Sequence, residues 1–366
     1  MNIFKSIFLS IILLLGAFSC SDEMINERLL VEAVGKPGEL FIVMDSVQWK
    51  GELGEVIKSI VKSSVPGLPQ NEPYFKVHYI EPTQFKSFLK NVKNILFVAT
   101  LDSKTRGGEI VRNYITPKYI QDNPDKYRVS QQDVYAKGQS ILYLFGANQD
   151  ELASKIANNQ NFVKDFFNDV EKKRLVNTMY KAKEKKAINK TLLKQHGFYM
   201  RIPNGFRFED NVNDFVWLRS PGVADGTIDK NIFITYKPYE SEDVFKKHNM
   251  IAWRNEITKE KIFEDPNTPS SYMETDTVNV RVDYNAVKLG GNFAKEIKGI
   301  WKTHNLGIGG PYISYVVLDE EANQIFYIDG FVVSPGKPKR ETMRELEAIL
   351  STFRTKSQME AKAAKK

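Results

Sequence analysis

The chain has 366 residues, 42% of them hydrophobic and 12% aromatic, which is enough apolar material for two ordinary cores and excludes a disordered or fibrous chain. Its 52 Lys and Arg against 45 Asp and Glu leave a formal net charge of +7, a mild excess that does not by itself imply nucleic acid. With one cysteine, the chain forms no internal disulfide, so its stability comes from packing.

The first residues have the three parts of a processing signal. Lys5 gives a short basic start, Ile7 to Leu15 is nearly unbroken Ile, Phe and Leu, and Gly16-Ala17-Phe18-Ser19 supplies small residues before Cys20. The apolar run falls short of the roughly 20 residues a membrane span needs. It predicts a signal peptide over 1–19, then a tether over 20–38 that ends at Gly35-Lys36-Pro37-Gly38. Ala17-Phe18-Ser19-Cys20 resembles a bacterial lipobox, with Ala17 in place of the commoner Leu. That resemblance implies lipidation of Cys20, and three acyl chains anchor stably where one does not. Ser21-Asp22-Glu23 resembles the short export signal that Bacteroidota use to send lipoproteins to the outer face of the outer membrane. It implies an outer-membrane, surface-exposed location.

Beyond the tether, Glu39–Met44 is a strand whose continuous apolar run suits burial on both faces. Leu53, Val56, Ile57, Ile60 and Val61 fall on one helical face. Residues 74–80 alternate as a strand, 84–90 form a short helix, and 94–100 and 140–145 are further strands. The polar segment 104–138 has no readable period. Helices are expected over 150–159 and 162–186, the second with a stripe of Phe162, Val163, Phe166, Phe167 and Val170 that must bury.

After Gly197 the pattern changes to short strands at 198–202, 206–209, 215–219 and 232–236, followed by a helix over 242–258. Strands at 272–282, 285–289, 292–303, 312–318 and 324–333 follow, with Gly290-Gly291 as a hairpin turn. A helix over 339–353 closes the body. The reading is an α+β chain of two domains, over 39–194 and 195–355, each a mostly antiparallel or mixed sheet packed with helices. Residues 356–366 are left as a disordered tail.

Chemistry was sought along this frame. His78, His196, His248 and His304 have no partner at metal-ligand spacing, so neither metal nor cofactor is expected. No nucleophile elbow occurs. Gly307-Ile-Gly-Gly-Pro311 lacks the Lys-Ser/Thr of a phosphate loop and reads as a glycine-rich loop between strands. Glu240, Glu242, Asp243, Asp319, Glu320 and Glu321 sit at turns or helix starts, where solvation and the helix dipole explain them. Residues 172–194 hold nine cations against Glu184. This is either a solvated helix face, the favoured reading, or a polyanion contact through Lys181, Lys183, Lys185 and Lys186. Asp45-Ser46-Val47 and Asp276-Thr277-Val278 resemble the short Bacteroidota O-glycosylation pattern, with Thr277 the better acceptor.

Leu68-Pro69-Gln70-Asn71-Glu72-Pro73-Tyr74-Phe75, Lys93-Asn94-Ile95-Leu96, Tyr135-Ala136-Lys137-Gly138-Gln139, Ser271-Tyr272-Met273-Glu274, Gly299-Ile300-Trp301 and Gly309-Gly310-Pro311-Tyr312 together resemble an uncharacterised family of Bacteroidota outer-membrane lipoproteins, domain of unknown function 4837. The second half, from Gly197-Phe198-Tyr199 to the closing strand pair and helix, resembles the PsbP-like group and implies an α/β/α sandwich. The expected function is a non-catalytic envelope lipoprotein, held to the membrane through Cys20, that binds another envelope protein or a glycan and no nucleic acid. The alternative is a carboxylate-dependent hydrolase of cell-surface polysaccharide. Cys20→Ser is expected to abolish labelled-palmitate uptake and release the protein from membranes or leave its precursor uncleaved. Normal labelling of the variant would refute the anchor.

Overall fold

The computed structural model describes residues 30–182, 184–222, 228–262, 271–305 and 307–364. The chain divides into two compact units, one of Met1–Lys62 and Phe75–Phe167, the other of Ser63–Tyr74 and Asn168–Lys366. The division thus falls at 167/168, whereas the sequence reading puts it at 194/195.

In the first unit the order is β1 (Glu39–Met44), α1 (Ser46–Lys50), α2 (Glu52–Val61), β2 (Lys76–Ile80), α3 (Ser87–Lys90), β3 (Asn94–Thr100), α4 (Arg106–Arg112), α5 (Pro117–Asp122), β4 (Arg128–Gln132), β5 (Ser140–Gly146) and α6 (Gln149–Asn158). The sheet runs β2-β1-β3-β5-β4, parallel except for β4 against β5. Every residue of β3 and β5 is buried, as parallel strands covered on both faces require. The polar segment 104–138 supplies α4, α5 and the half-exposed β4. Its helices are started by caps, Thr105 to the Gly108 N–H and Thr116 to the Tyr119 N–H, too short for a period to show.

A long helix, α7 (Asn161–Ala182), crosses the division and ends before α8 (Lys186–His196). The single helix expected through Lys186 is therefore broken. Glu184 explains the break: it pairs with Pro203 in a bridge and accepts hydrogen bonds from Arg201 Nη2 at 3.0 Å and Asn189 Nδ2 at 2.5 Å.

The second unit continues with β6 (Phe198–Tyr199), β7 (Arg207–Val212), β8 (Phe215–Ser220), β9 (Asp229–Pro238), α9 (Lys247–Lys261), β10 (Met273–Thr275), β11 (Asp283–Leu289), β12 (Asn292–Thr303), β13 (Gly309–Asp319), β14 (Gln324–Val333), α10 (Arg340–Leu350), β15 (Arg354–Thr355) and α11 (Lys356–Ala364). Its eight-stranded antiparallel sheet runs β10-β12-β13-β14-β9-β8-β7, with β11 also on β12. One face packs Phe326 and Ile328 against Leu192 of α8 and Leu346, Ile349 and Leu350 of α10. The other packs Phe233, Tyr327 and Phe331 against Met250 and Ile257 of α9. The fold class is α+β, with a mixed sheet in one unit and helices on both faces of the sheet in the other.

Further elements differ from the sequence reading. The strand expected over 272–282 stops at Thr275, because Asp276 turns the chain by accepting from the Val278 and Asn279 N–H groups. Residues 356–364, expected to be disordered, form α11, where Gln358 Nε2 donates to the Gly290 carbonyl at 2.9 Å and Ser357 Oγ to Asp319 at 3.1 Å. Gly290 and Gly291 have the positive φ, +65° and +107°, that their hairpin demands. No helix among the described residues is long and apolar enough to cross a membrane.

Beneath α10, Glu347 lies 3.2 Å from Lys172 and 3.7 Å from Lys298, and Lys298 lies 3.3 Å from Glu296. Burial pushes the Glu347 carboxyl up, but the Lys298 and Lys172 ammonium groups outweigh it and hold the group below its ordinary 4.5. Its contribution to stability is therefore present above pH about 4.5 and lost as pH falls through the depressed folded value. Glu347→Gln, which leaves two cations under-compensated, is expected to cost about 2 kcal/mol at pH 7. The cost should shrink as pH drops below 4, which urea unfolding at several pH values measures.

Candidate functional site

The second unit has a cleft of about 230 Å³ at one end of the sheet face that α9 covers. Strand alternation builds its walls. Trp217 and Arg219 are two residues apart on β8, Asp229 and Asn231 on β9, Phe331 and Val333 on β14, and Trp301 and Thr303 on β12. A period of two puts each pair on one face. The register then sets Arg219 opposite Asn231, Asn231 opposite Phe331, and Asp229 opposite Val333. Met273, Ser271 and Ile262 complete the lining.

One wall is a chain of planar polar groups, each oriented by the next. Arg219 grips Asp229 at two points, Nε to Oδ2 at 2.9 Å and Nη2 to Oδ2 at 2.5 Å, with Nε also 3.2 Å from Oδ1. Asn231 Nδ2 donates to Asp229 Oδ1 at 2.8 Å, and Trp217 Nε1 donates to Asn231 Oδ1 at 3.0 Å. Such pre-orientation removes much of the entropy cost of presenting polar groups to a ligand. On the other side Trp301 packs edge-on to Phe331, ring centroids 6.0 Å apart. Trp301 is 2% exposed, yet its indole N–H has no hydrogen-bond partner. A buried donor left unpaired costs on the order of 1–3 kcal/mol.

Gly310 makes room for that indole. It lies opposite Trp301 in the ladder, and a Cβ there would sit 2.2 Å from the Val332 carbonyl oxygen and 3.0 Å from Trp301 Nε1. Within the glycine-rich stretch, Gly309 and Gly310 open β13.

A buried ion pair lies deeper under the same face. Arg254 and Asp329 are both fully buried, Nε to Oδ2 at 2.8 Å, with Ser314 Oγ donating to the same carboxylate at 2.6 Å. The Arg254 guanidinium also covers the Tyr312 ring at 3.9 Å.

Among the described residues, those marked in the sequence do not converge on this cleft. Cys20, Ser21, Asp22, Glu23 and Lys183 lie outside the described residues. Lys181, Lys185 and Lys186 are exposed, as are Lys190 and Lys194. Within the same basic run, however, Lys172 is tied to Glu347 and Asp169, and Arg174 to Glu171 at 2.8 Å. Thr277 is exposed in the turn made by Asp276, whereas Ser46 is half-buried at the start of α1. Among the histidines, buried His196 bonds Tyr236 and Asn211 through its two nitrogens, His78 stacks on Phe41, and His304 stacks on Tyr272. No group of three metal-ligating side chains occurs among the described residues. Glu240, Glu242, Glu320 and Glu321 are exposed, Asp243 pairs with Lys246 at 2.8 Å, and Asp319 serves a turn.

Sequence reading passed over Trp217, Arg219, Asp229 and Asn231. The one visible signal is Trp-x-Arg on a short strand, large polar groups on a face that should be core. Gly310→Ala is expected to cost about 2–3 kcal/mol by forcing the β13 and β14 backbones apart. A chemical denaturation curve and the Trp301 indole resonance together test this; an unchanged curve would mean that Gly310 is not needed to seat the indole.

Residues 33–180 match the domain of unknown function DUF8532, and residues 185–352 match the domain of unknown function DUF4837. No curated protein matches the chain. Among solved structures, one from Bacteroides thetaiotaomicron VPI-5482 is similar at 14% identity over 43% of this chain and 45% of that one, with a TM-score of 0.26. The chain therefore spans less than half the length of that protein. The Saccharomyces cerevisiae Ran-binding protein Mog1p is similar at 10% identity over 44% of this chain and 90% of that one, with a TM-score of 0.29. The chain carries two domains of unknown function in tandem, a DUF8532 domain followed by a DUF4837 domain.

Proposed function

We propose that this is a non-catalytic lipoprotein of a Bacteroidota cell envelope, held to the outer membrane through acylated Cys20, that binds another envelope protein or a glycan. The observation that carries the binding role is the cleft of the second unit. Apolar walls with a few pre-oriented polar groups are what small-ligand sites consist of, and here Asp229 and Asn231 are held in place by hydrogen bonds from Arg219 and Trp217. The address rests on the lipobox-like Ala17-Phe18-Ser19-Cys20 and on Ser21-Asp22-Glu23. The exposed Lys181, Lys185 and Lys186, with Lys190 and Lys194 on α8, suit an anionic envelope surface at low salt.

Among the described residues, the lining of this cleft does not favour the hydrolase. A glycosidase needs two carboxylates facing each other, about 5–9.5 Å apart, across the bond they cleave. Among the residues lining the cleft there is one, Asp229, and Arg219 holds it.

The test uses the intact protein in cells. A photo-crosslinking residue at Val333, on the cleft wall, is expected to capture a discrete adduct, while the same residue at the exposed Glu320 captures none. Equal capture at the two positions would overturn the reading.

A further inference from the structure

In the first unit, residues 31–34 run along one edge of the parallel sheet. The Val34 N–H donates to the Asn91 carbonyl at 2.8 Å, and the Lys93 N–H to the Val34 carbonyl at 3.1 Å. On the other side the Ala33 N–H donates to the Lys137 carbonyl at 2.9 Å, and the Lys137 N–H to the Val31 carbonyl at 2.8 Å. These bonds hold the segment at the edge from which β1, β3 and β5 all start, at Glu39, Asn94 and Ser140. Leu30 is ten residues beyond Cys20, and ten residues reach at most about 35 Å. An anchor at Cys20 therefore keeps this edge within that distance of a bilayer.

The same edge carries most of the unit's exposed apolar surface. Among the described residues the unit exposes four large aliphatic or aromatic side chains: Val31 (56%), Val34 (45%), Val47 (63%) and Phe88 (74%). Three of them meet here, because Asn91, which holds Val34, also donates its N–H to the Phe88 carbonyl at 3.3 Å. Val47 lies at the other edge, on α1 just after β1. Phe85 seats α3 in the core with Leu89 packed beside it, which leaves Phe88 in solvent. Around Phe88 and Val34 are the exposed Lys36, Lys86 and Lys137, and the half-buried Lys90, whose ammonium lies 5.4 Å over the Tyr135 ring. The exposed acids beside them are Glu32, 3.9 Å from Lys137, and Asp133, so cations are in excess. An apolar ring among lysines suits the headgroup layer, where the ring reaches the acyl boundary and the ammonium groups stay with the phosphates. A covalent anchor makes this second contact intramolecular, so an affinity too weak to hold a free protein suffices.

We infer that this edge of the first unit docks on the bilayer surface, with Phe88 entering the headgroup layer of anionic lipid and Lys36, Lys86, Lys90 and Lys137 on its phosphates. The inference rests on the proposed anchor at Cys20. It turns the opposite edge of the sheet, beyond the ends of β1 and β3, away from the membrane.

The test places a nitroxide on the acylated full chain in vesicles of phosphatidylcholine and phosphatidylglycerol. Acylation consumes the chain's one cysteine, so Ser87→Cys on α3 and Lys104→Cys beyond β3 each give a single labelling site. The seven residues of β3 span roughly 23 Å, which sets the two labels at opposite edges of the sheet. The Ser87 label is expected to favour oxygen over a water-soluble nickel chelate about fivefold more than the Lys104 label does, as a site in the headgroup layer requires. Phe88→Ser with Lys86→Gln is expected to abolish that difference with little change in melting temperature. A second arm uses the chain from Ser21, which keeps every described residue. At low salt it is expected to float with phosphatidylglycerol vesicles, and about threefold less after Phe88→Ser. If the chain is acylated but the chelate reaches both labels equally, the docking inference is wrong and the anchor stands. A Ser87 label shielded from both oxygen and chelate would also overturn it, since a protein would then cover the patch. If Cys20 carries no acyl group, the anchor reading fails and flotation decides. Equal flotation of the Phe88→Ser variant, or flotation of neither chain, then refutes docking.

Discussion

The Arg254–Asp329 pair is the constraint around which the second unit is arranged. Both side chains are fully buried, and removing one partner from such a pair costs about 3–5 kcal/mol because the other charge is stranded. The pair ties α9 to β14, and Ser314 brings in β13. The same helix holds β10 through Asn255 Oδ1, which accepts from the Thr275 N–H, and through Thr258 Oγ1, which donates to the Met273 carbonyl at 2.7 Å. This helix is therefore seated by polar contacts as much as by its apolar residues. Its last turn ends at Lys261, next to Ile262 on the cleft lining, so the polar seat also fixes where this helix meets the cleft.

The two units meet the requirement of a covered sheet in different ways. In the first, parallel strands need crossover helices, and the central strands β3 and β5 are buried at every position. In the second, hairpins connect most of the strands, and the helices cover the sheet from both sides, so β13 and β14 are buried almost throughout. Burial on both faces leaves little room for polar side chains. Asp329 is paired with Arg254, and Arg219, Asp229 and Asn231 are gathered at one end.

Much of the frame was legible in the sequence. The apolar runs at 39–44, 94–100 and 140–145, the Gly290-Gly291 hairpin and the amphipathic helix over α10 carry strong local signals, because burial on a fixed period writes itself into the residues. The segment 104–138 was not legible, because its helices are under two turns long and fixed by caps. Nor was the break between α7 and α8, since nothing in the run of lysines shows that Glu184 will find Arg201 and Asn189. Lysine count suggested a uniform basic face, but Lys172 has carboxylate partners 3 and 175 residues away.

The sequence by itself determined the supply of apolar residues for two cores and the period of most strands and longer helices. These are local properties, decided by neighbours within a turn or a strand. Only the tertiary structure decided that Trp217, Arg219, Asp229, Asn231, Trp301 and Phe331 share one cleft. They sit on four strands spread over more than a hundred residues of chain, and what brings them together is antiparallel register, in which a slip of one residue would turn each side chain to the opposite face. That register is set by the packing of both faces at once, which no single strand encodes.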